Sequence, residues 1–96
     1  MEQYKELDPL LHSQLRLAVI SILSGAEAAE FTYIQEKTGS TAGNLSAQIT
    51  KLKEAGYISV RKKFRGNYPQ TLCRITELGR DKFNQYVKDL RDYINP

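Results

Sequence analysis

Ninety-six residues make one small domain, and 41% hydrophobic with 26% charged side chains is the composition of a folded, water-soluble chain rather than a disordered one. A single cysteine, Cys73, excludes an intrachain disulfide and a cysteine-cluster zinc site. A single histidine, His12, leaves little for metal or triad chemistry. The longest apolar run, Leu17-Ala18-Val19-Ile20, is too short to span a bilayer. The opening Met1-Glu2-Gln3-Tyr4-Lys5-Glu6 has no basic region followed by an apolar one, so no signal peptide is expected. Together these features predict a cytoplasmic, non-enzymatic protein without cofactor, metal or membrane contact. A chain this short builds a thin core, which makes oligomerisation an early expectation.

The net charge of +3 is unevenly spread. Residues 1–36 carry two basic against six acidic side chains, and residues 37–82 carry ten basic against three acidic ones. Basic charge concentrated inside a folded region points to a polyanionic partner.

In chain order, Asp8-Pro9 reads as the opening of a first helix, with aspartate capping free amides and proline in the first turn. Leu11, Leu15, Ala18, Val19 and Ile22 follow at helical spacing, while Leu10, Leu17 and Ile20 lie elsewhere around the same helix. A helix apolar on more than one side is buried on more than one side. Ser24-Gly25 ends it, and Ala26 to Glu30 reads as a short connection. Thr32-Tyr33-Ile34-Gln35 has capping-box spacing and predicts a second, short helix ending at Gly39. Ser40-Thr41 caps a third, with Ala42, Leu45, Ile49 and Leu52 on one face and Gly56 as a left-handed stop. Two short helices joined by a tight turn make a helix-turn-helix.

The period then changes to two. Ile58 and Val60 alternate with Ser59 and Arg61, and Cys73 and Ile75 with Leu72 and Arg74, around the turn cluster Arg65 to Gln70. This predicts a hairpin with a long basic tip, with Phe64 packed beneath it and Cys73 a small core residue. Thr76-Glu77 caps a last helix whose stripe is Phe83, Val87, Leu90 and Ile94, with Tyr86 and Tyr93 beside it.

Three helices followed by a basic hairpin are the parts of a winged helix. The predicted fold is mainly α with a small β-hairpin: a winged helix-turn-helix with an added C-terminal helix. It forms one domain over residues 1–96, with the core at 7–75 and a C-terminal dimerisation helix at 76–96. A helix fits the major groove of DNA, and a hairpin can follow the backbone or enter the minor groove. With Leu45, Ile49 and Leu52 inward, the third helix presents Gly43, Asn44, Ala47, Thr50, Lys51 and Glu54, with Gln48 at the edge. That face is small, polar and free of acids until Glu54. Asn44 and Gln48 have the chemistry to bond adenine edges, and Lys51 to reach a phosphate or guanine. The expected double-stranded DNA contacts are Thr32, Ser40, Thr41, Asn44, Ala47, Gln48 and Lys51 from the helices. From the wing they are Lys62, Lys63, Arg65, Asn67 and Tyr68.

The series Leu7-Asp8-Pro9-Leu10-Leu11-His12-Ser13, Phe31-Thr32, Gly43-Asn44-Leu45-Ser46, Leu52 to Ile58, Lys63-Phe64, and Ile75-Thr76-Glu77-Leu78-Gly79-Arg80 resembles small MarR/ArsR-like winged-helix transcriptional regulators over about residues 7–94. That resemblance implies a homodimer on duplex DNA, with dimer contacts from the first and last helices. The sequence departs from the pattern at Asn67 and Gln70, where arginines are frequent, and at Ala47 and Gln48. The cysteine pairs of metal-sensing relatives are absent. The residues expected at a dimer interface are Leu10, Leu17, Phe83, Tyr86, Val87, Leu90, Tyr93 and Ile94. The rival reading is a winged helix used as a protein-interaction module without specific DNA binding, which retention on heparin and its salt dependence would separate. RNA binding lacks an aromatic platform. The sequence names no small-molecule effector.

Overall fold

The computed structural model describes residues 3–96; Met1 and Glu2, part of the leader reading, lie outside the described residues. The element order is α1 (Gln14–Ser24), β1 (Ala29–Glu30), α2 (Phe31–Thr38), α3 (Ala42–Glu54), β2 (Ile58–Arg65), β3 (Tyr68–Ile75) and α4 (Glu77–Ile94). The strands form one antiparallel sheet in the order β1-β3-β2. This is the expected winged helix with an appended helix, with four differences of detail.

Asp8 caps a turn rather than α1. Its carboxylate accepts from the Leu10 amide at 2.9 Å, and its carbonyl accepts from the amides of Leu11 and His12. The Arg16 side chain donates to the Leu10 carbonyl at 2.6 Å, and Ser13 is extended (φ −149°), so regular helix starts at Gln14. Ala29 and Glu30, expected in a connection, pair with Cys73 and Leu72 as a third strand. The capping box at Thr32 does not form, because α2 begins two residues earlier than that cap requires, at Phe31 behind an extended Glu30. The hairpin tip is short: β2 and β3 pair as far as Arg65 opposite Tyr68, leaving only Gly66-Asn67 as the turn.

Local signals explain the other boundaries. Gly39 closes α2 in the left-handed region (φ 66°). The Thr41 hydroxyl accepts from the Asn44 amide at 3.2 Å at the start of α3. At its end Gly56 (φ 81°) donates to the Lys53 carbonyl and Tyr57 to the Leu52 carbonyl, the two bonds of a Schellman stop. The Thr76 hydroxyl caps α4 by accepting from the Gly79 amide at 3.0 Å.

Leu11, Val19, Ile20, Leu23, Ile34, Leu45, Leu52 and Cys73 are fully buried at the centre. Each large side chain so placed contributes roughly 1.5–3 kcal/mol of transfer free energy. Ile20, assigned from the sequence to a second face of the first helix, belongs to this core. So does Tyr86, only 4% exposed, whose hydroxyl lies 3.0 Å from His12 Nδ1. Tyr86 was expected at a dimer interface; the packing of α4 on its own domain turns it inward instead. Phe64, expected beneath the wing, is 74% exposed, because the hairpin extends beyond the helices that could cover it. The Cα radius of gyration is 14.6 Å, against about 12.5 Å for a compact chain of this length. The excess matches two projecting parts: every residue from Arg61 to Pro69 and from Arg91 to Pro96 is exposed.

Candidate nucleic-acid interface

The interface is built from α3 outward. Leu45, Ile49 and Leu52 anchor one face of the helix, which leaves Gly43, Asn44, Ala47, Thr50, Lys51 and Glu54 exposed on the other. Ser40, just before the helix, is half-buried, with its hydroxyl 2.8 Å from that of Thr38. The Thr41 oxygen is already used as a cap. Lys51 reaches into solvent.

Gln48 is more constrained than its neighbours. Its Oε1 accepts from Arg16 Nη1, and its Nε2 donates to Asn44 Oδ1 at 3.1 Å. Both ends of the amide are therefore engaged within the protein. Both atoms that a bidentate contact to adenine would use already have a partner, whereas the Asn44 amide nitrogen takes part in neither bond.

Strand register sorts the wing side chains. Ile58, Val60, Lys62 and Phe64 face the same way as their partners Ile75, Cys73, Thr71 and Pro69. This is the core-side face, so Lys62 lines a groove of about 410 Å³ with Ser46, Thr50 and Lys53 of α3. Arg61, Lys63 and Arg65 occupy the other face. Glu30 on β1 accepts from Gln70 Nε2 at 2.8 Å and ties β3 to the start of α2. Among the described residues, Tyr68 to Thr71 of β3 have no strand partner on the β1 side. A second cavity of about 600 Å³ opens there, lined by Thr32, Arg65, Tyr68 and Gln70. The two cavities share Phe31 and Thr71, so the start of α2, the face of α3 and the wing border one continuous surface.

Of the residues assigned to DNA from the sequence, Thr32, Arg65 and Tyr68 line the second cavity and Lys62 the α3 groove, whereas Ser40 and Asn44 line a separate depression beside Gln14, Leu15 and Ala18 of α1, and Lys63 lies on the opposite face of the wing from Lys62. Two further residues join the site with no local signal in the sequence: Arg16, which reaches Gln48 32 positions away, and Lys53, which shares the α3 groove with Lys62. Phe64 and Tyr68 project from the wing tip, with Tyr68 77% exposed.

The residues assigned to a dimer contact divide. Leu10, Leu17, Phe83 and Leu90 are partly buried against the chain's own core, and Val87 is also half-buried. Tyr93 and Ile94 remain open, at 44% and 67% exposed. The Tyr93 ring stacks on Tyr4 at 4.7 Å, and its hydroxyl donates to the Lys5 carbonyl. The N-terminal segment thus lies along the end of α4. Burial pushes the Cys73 thiol up to about 11, which suits a core residue rather than a redox sensor. Among the described residues, no helix is long and apolar enough to cross a membrane, and no group of three potential ligands could hold a metal ion.

A helix-turn-helix followed by a cationic hairpin defines a winged-helix nucleic-acid-binding domain. The chain belongs to the winged helix DNA-binding domain family, whose pattern matches residues 15–94. It is 32% identical over 81 residues to an uncharacterized protein of Methanocaldococcus jannaschii, covering 84% of this chain and 88% of that one. It superposes on a transcriptional regulator homologue from Pyrococcus horikoshii with a TM-score of 0.84 and 27% identity, covering 90% of this chain and 85% of that one. Bacillus subtilis PadR, solved with operator DNA, shares the fold at a TM-score of 0.69 and 13% identity, covering 80% of this chain and 48% of that one. The resemblance to winged-helix transcriptional regulators is borne out.

Proposed function

We propose that this protein is a sequence-specific regulator of transcription that binds duplex DNA as a homodimer. In this reading α3 enters the major groove and the wing lies on the backbone or in the minor groove. The observation that carries it is the exposed face of α3, without an acid from Gly43 to Lys51, bordered on its Ser46 and Thr50 flank by a groove that Lys62 of the cationic wing also lines. A surface helix selected only for solubility would mix charges of both signs. The Pyrococcus protein is described as a transcriptional regulator homologue, and PadR was solved on an operator; both likenesses agree with this assignment.

The homodimer rests on the open end of α4. Ile94 and Tyr93 continue the stripe of Val87 and Leu90 beyond the domain's own core. A two-fold contact there, continued over Leu10, Leu17 and Phe83, would cover the apolar strip. It would also set two α3 helices about 34 Å apart, one turn of DNA.

Titration of a labelled duplex by anisotropy over a range of salt tests the DNA reading. Log K should fall linearly with log salt, by about 0.9 for each phosphate contacted. The Lys63→Ala/Arg65→Ala double variant should flatten that slope and weaken all sequences alike. Asn44→Ala should instead relax preference at particular positions, by about 1–3 kcal/mol. Binding that neither change alters refutes the assigned surface.

A further inference from the structure

The third helix receives a hydrogen-bond direction from the first. Arg16, half-buried on α1, donates from Nε to the Leu10 carbonyl and from Nη1 to Gln48 Oε1. A guanidinium has donors only, so it admits one orientation of the facing amide: the Gln48 oxygen toward Arg16 and its nitrogen away. That nitrogen donates to Asn44 Oδ1 at 3.1 Å. Asn44, an exposed residue, is in turn oriented with its oxygen toward Gln48, leaving its Nδ2 hydrogens outside the relay. Three side chains from two helices form a relay with a single sense, Arg16 to Gln48 to Asn44, ending on the exposed face of α3.

We propose that Arg16 is a specificity-determining positioning residue, which holds Asn44 as a hydrogen-bond donor toward base-edge acceptors in the major groove. This rests on the reading of α3 as the DNA-contacting helix. Guanine offers two acceptors there, N7 and O6, whereas adenine offers N7 beside the N6 donor. An asparagine whose oxygen is drawn to Gln48 and whose nitrogen faces out suits the guanine edge. An asparagine free to rotate can also match adenine with its oxygen and nitrogen together. The relay therefore biases the Asn44 contact toward guanine. No guanidinium–base contact is required of Arg16, which acts through Gln48.

Selection of bound duplexes from a randomised pool, followed by anisotropy on single-base variants, tests this with the full chain. Arg16→Met should shift the guanine-to-adenine preference at the Asn44 position by about fivefold or more toward adenine. The salt slope should stay unchanged, because no phosphate contact is lost. Arg16→Lys, with one ammonium in place of the fork, should restore the preference only in part. Arg16→Met in an Asn44→Ala background should cause no further change, since the relay would have no end to orient. Gln48→Glu is the decisive second variant if Arg16→Met fails to fold. The new carboxylate still accepts from Arg16 but cannot donate to Asn44. The Asn44 nitrogen would then turn toward it, leaving the oxygen outward and moving preference to edges that offer a donor, cytosine N4 or adenine N6. Base preference unchanged in Gln48→Glu, or in a folded Arg16→Met, while Asn44→Ala alters it, overturns the relay and leaves the function standing. Binding indifferent to Asn44→Ala and to the wing variant overturns both.

Discussion

Gly79→Ala sets helix propensity against steric contact, and the geometry decides the sign. On propensity alone, alanine within α4 would stabilise the helix by about 0.5–1 kcal/mol. A Cβ at position 79, however, would lie 2.0 Å from the Tyr57 carbonyl oxygen and 2.8 Å from its carbon. Both are backbone atoms, which no rotamer change can move. The start of α4 must retreat by more than an ångström, and that displacement strains two bonds that seat it. One is the Thr76 amide on the Tyr57 carbonyl, at 3.0 Å, and the other is the Thr76 cap on the Gly79 amide, also at 3.0 Å. Each contributes about 1 kcal/mol, and overpacking adds about 1–3 kcal/mol. After the propensity gain is subtracted, the variant should be less stable by about 2–4 kcal/mol, which lowers Tm by roughly 10–25 °C in a domain of this size. Thermal unfolding followed by circular dichroism at 222 nm, a wavelength that reads helix, measures it. A Tm equal to or above that of the parent would show that α4 does not approach Tyr57 so closely, and the seating described here would be wrong.

Three further outcomes follow from burial and exposure. The Tyr57 hydroxyl donates to Asp8 at 2.6 Å, and burial together with this neighbouring carboxylate pushes its ionisation up to about 12. Its folded value is raised above the ordinary 10, so its contribution to stability is complete below pH 10 and is lost between pH 10 and 12; Tyr57→Phe should flatten the pH dependence of urea unfolding in that window. Cys73 should resist iodoacetamide in the native protein at pH 8 and react fully in guanidinium; rapid native labelling would contradict its burial. Ile94→Asp should shift sedimentation equilibrium toward a single chain without lowering the monomer's intrinsic stability, because Ile94 is 67% exposed. Leu90→Asp would test the dimer less cleanly, since Leu90 also packs on its own core. A parent protein that sediments as one chain at tens of micromolar would remove the dimer altogether.

Features whose causes lie within a few residues can be read from the order of the side chains. Leu45, Ile49 and Leu52 recur at helical spacing, Thr41 and Thr76 stand where a hydroxyl can cap, and Gly39 and Gly56 stop helices; all of these appear where expected. Alternation placed Cys73 inward, and the cationic run from Arg61 to Arg65 is exposed throughout. Features that depend on a distant partner emerge only when the chain has folded. Ala29-Glu30 is too short to carry a period and becomes a strand only because the edge of β3 passes beside it. Tyr86 lies on an amphipathic helix where either side could face inward, and the packing of α4 turned it toward His12. Phe64 has the hydrophobicity of a core residue, yet the hairpin carries it past the reach of any helix. Asn44 and Gln48 were legible as polar residues on an outward face. The sense in which they present donors and acceptors was not, because it is imposed by Arg16, and a hydrogen bond between residues 32 positions apart leaves no periodic trace in the chain.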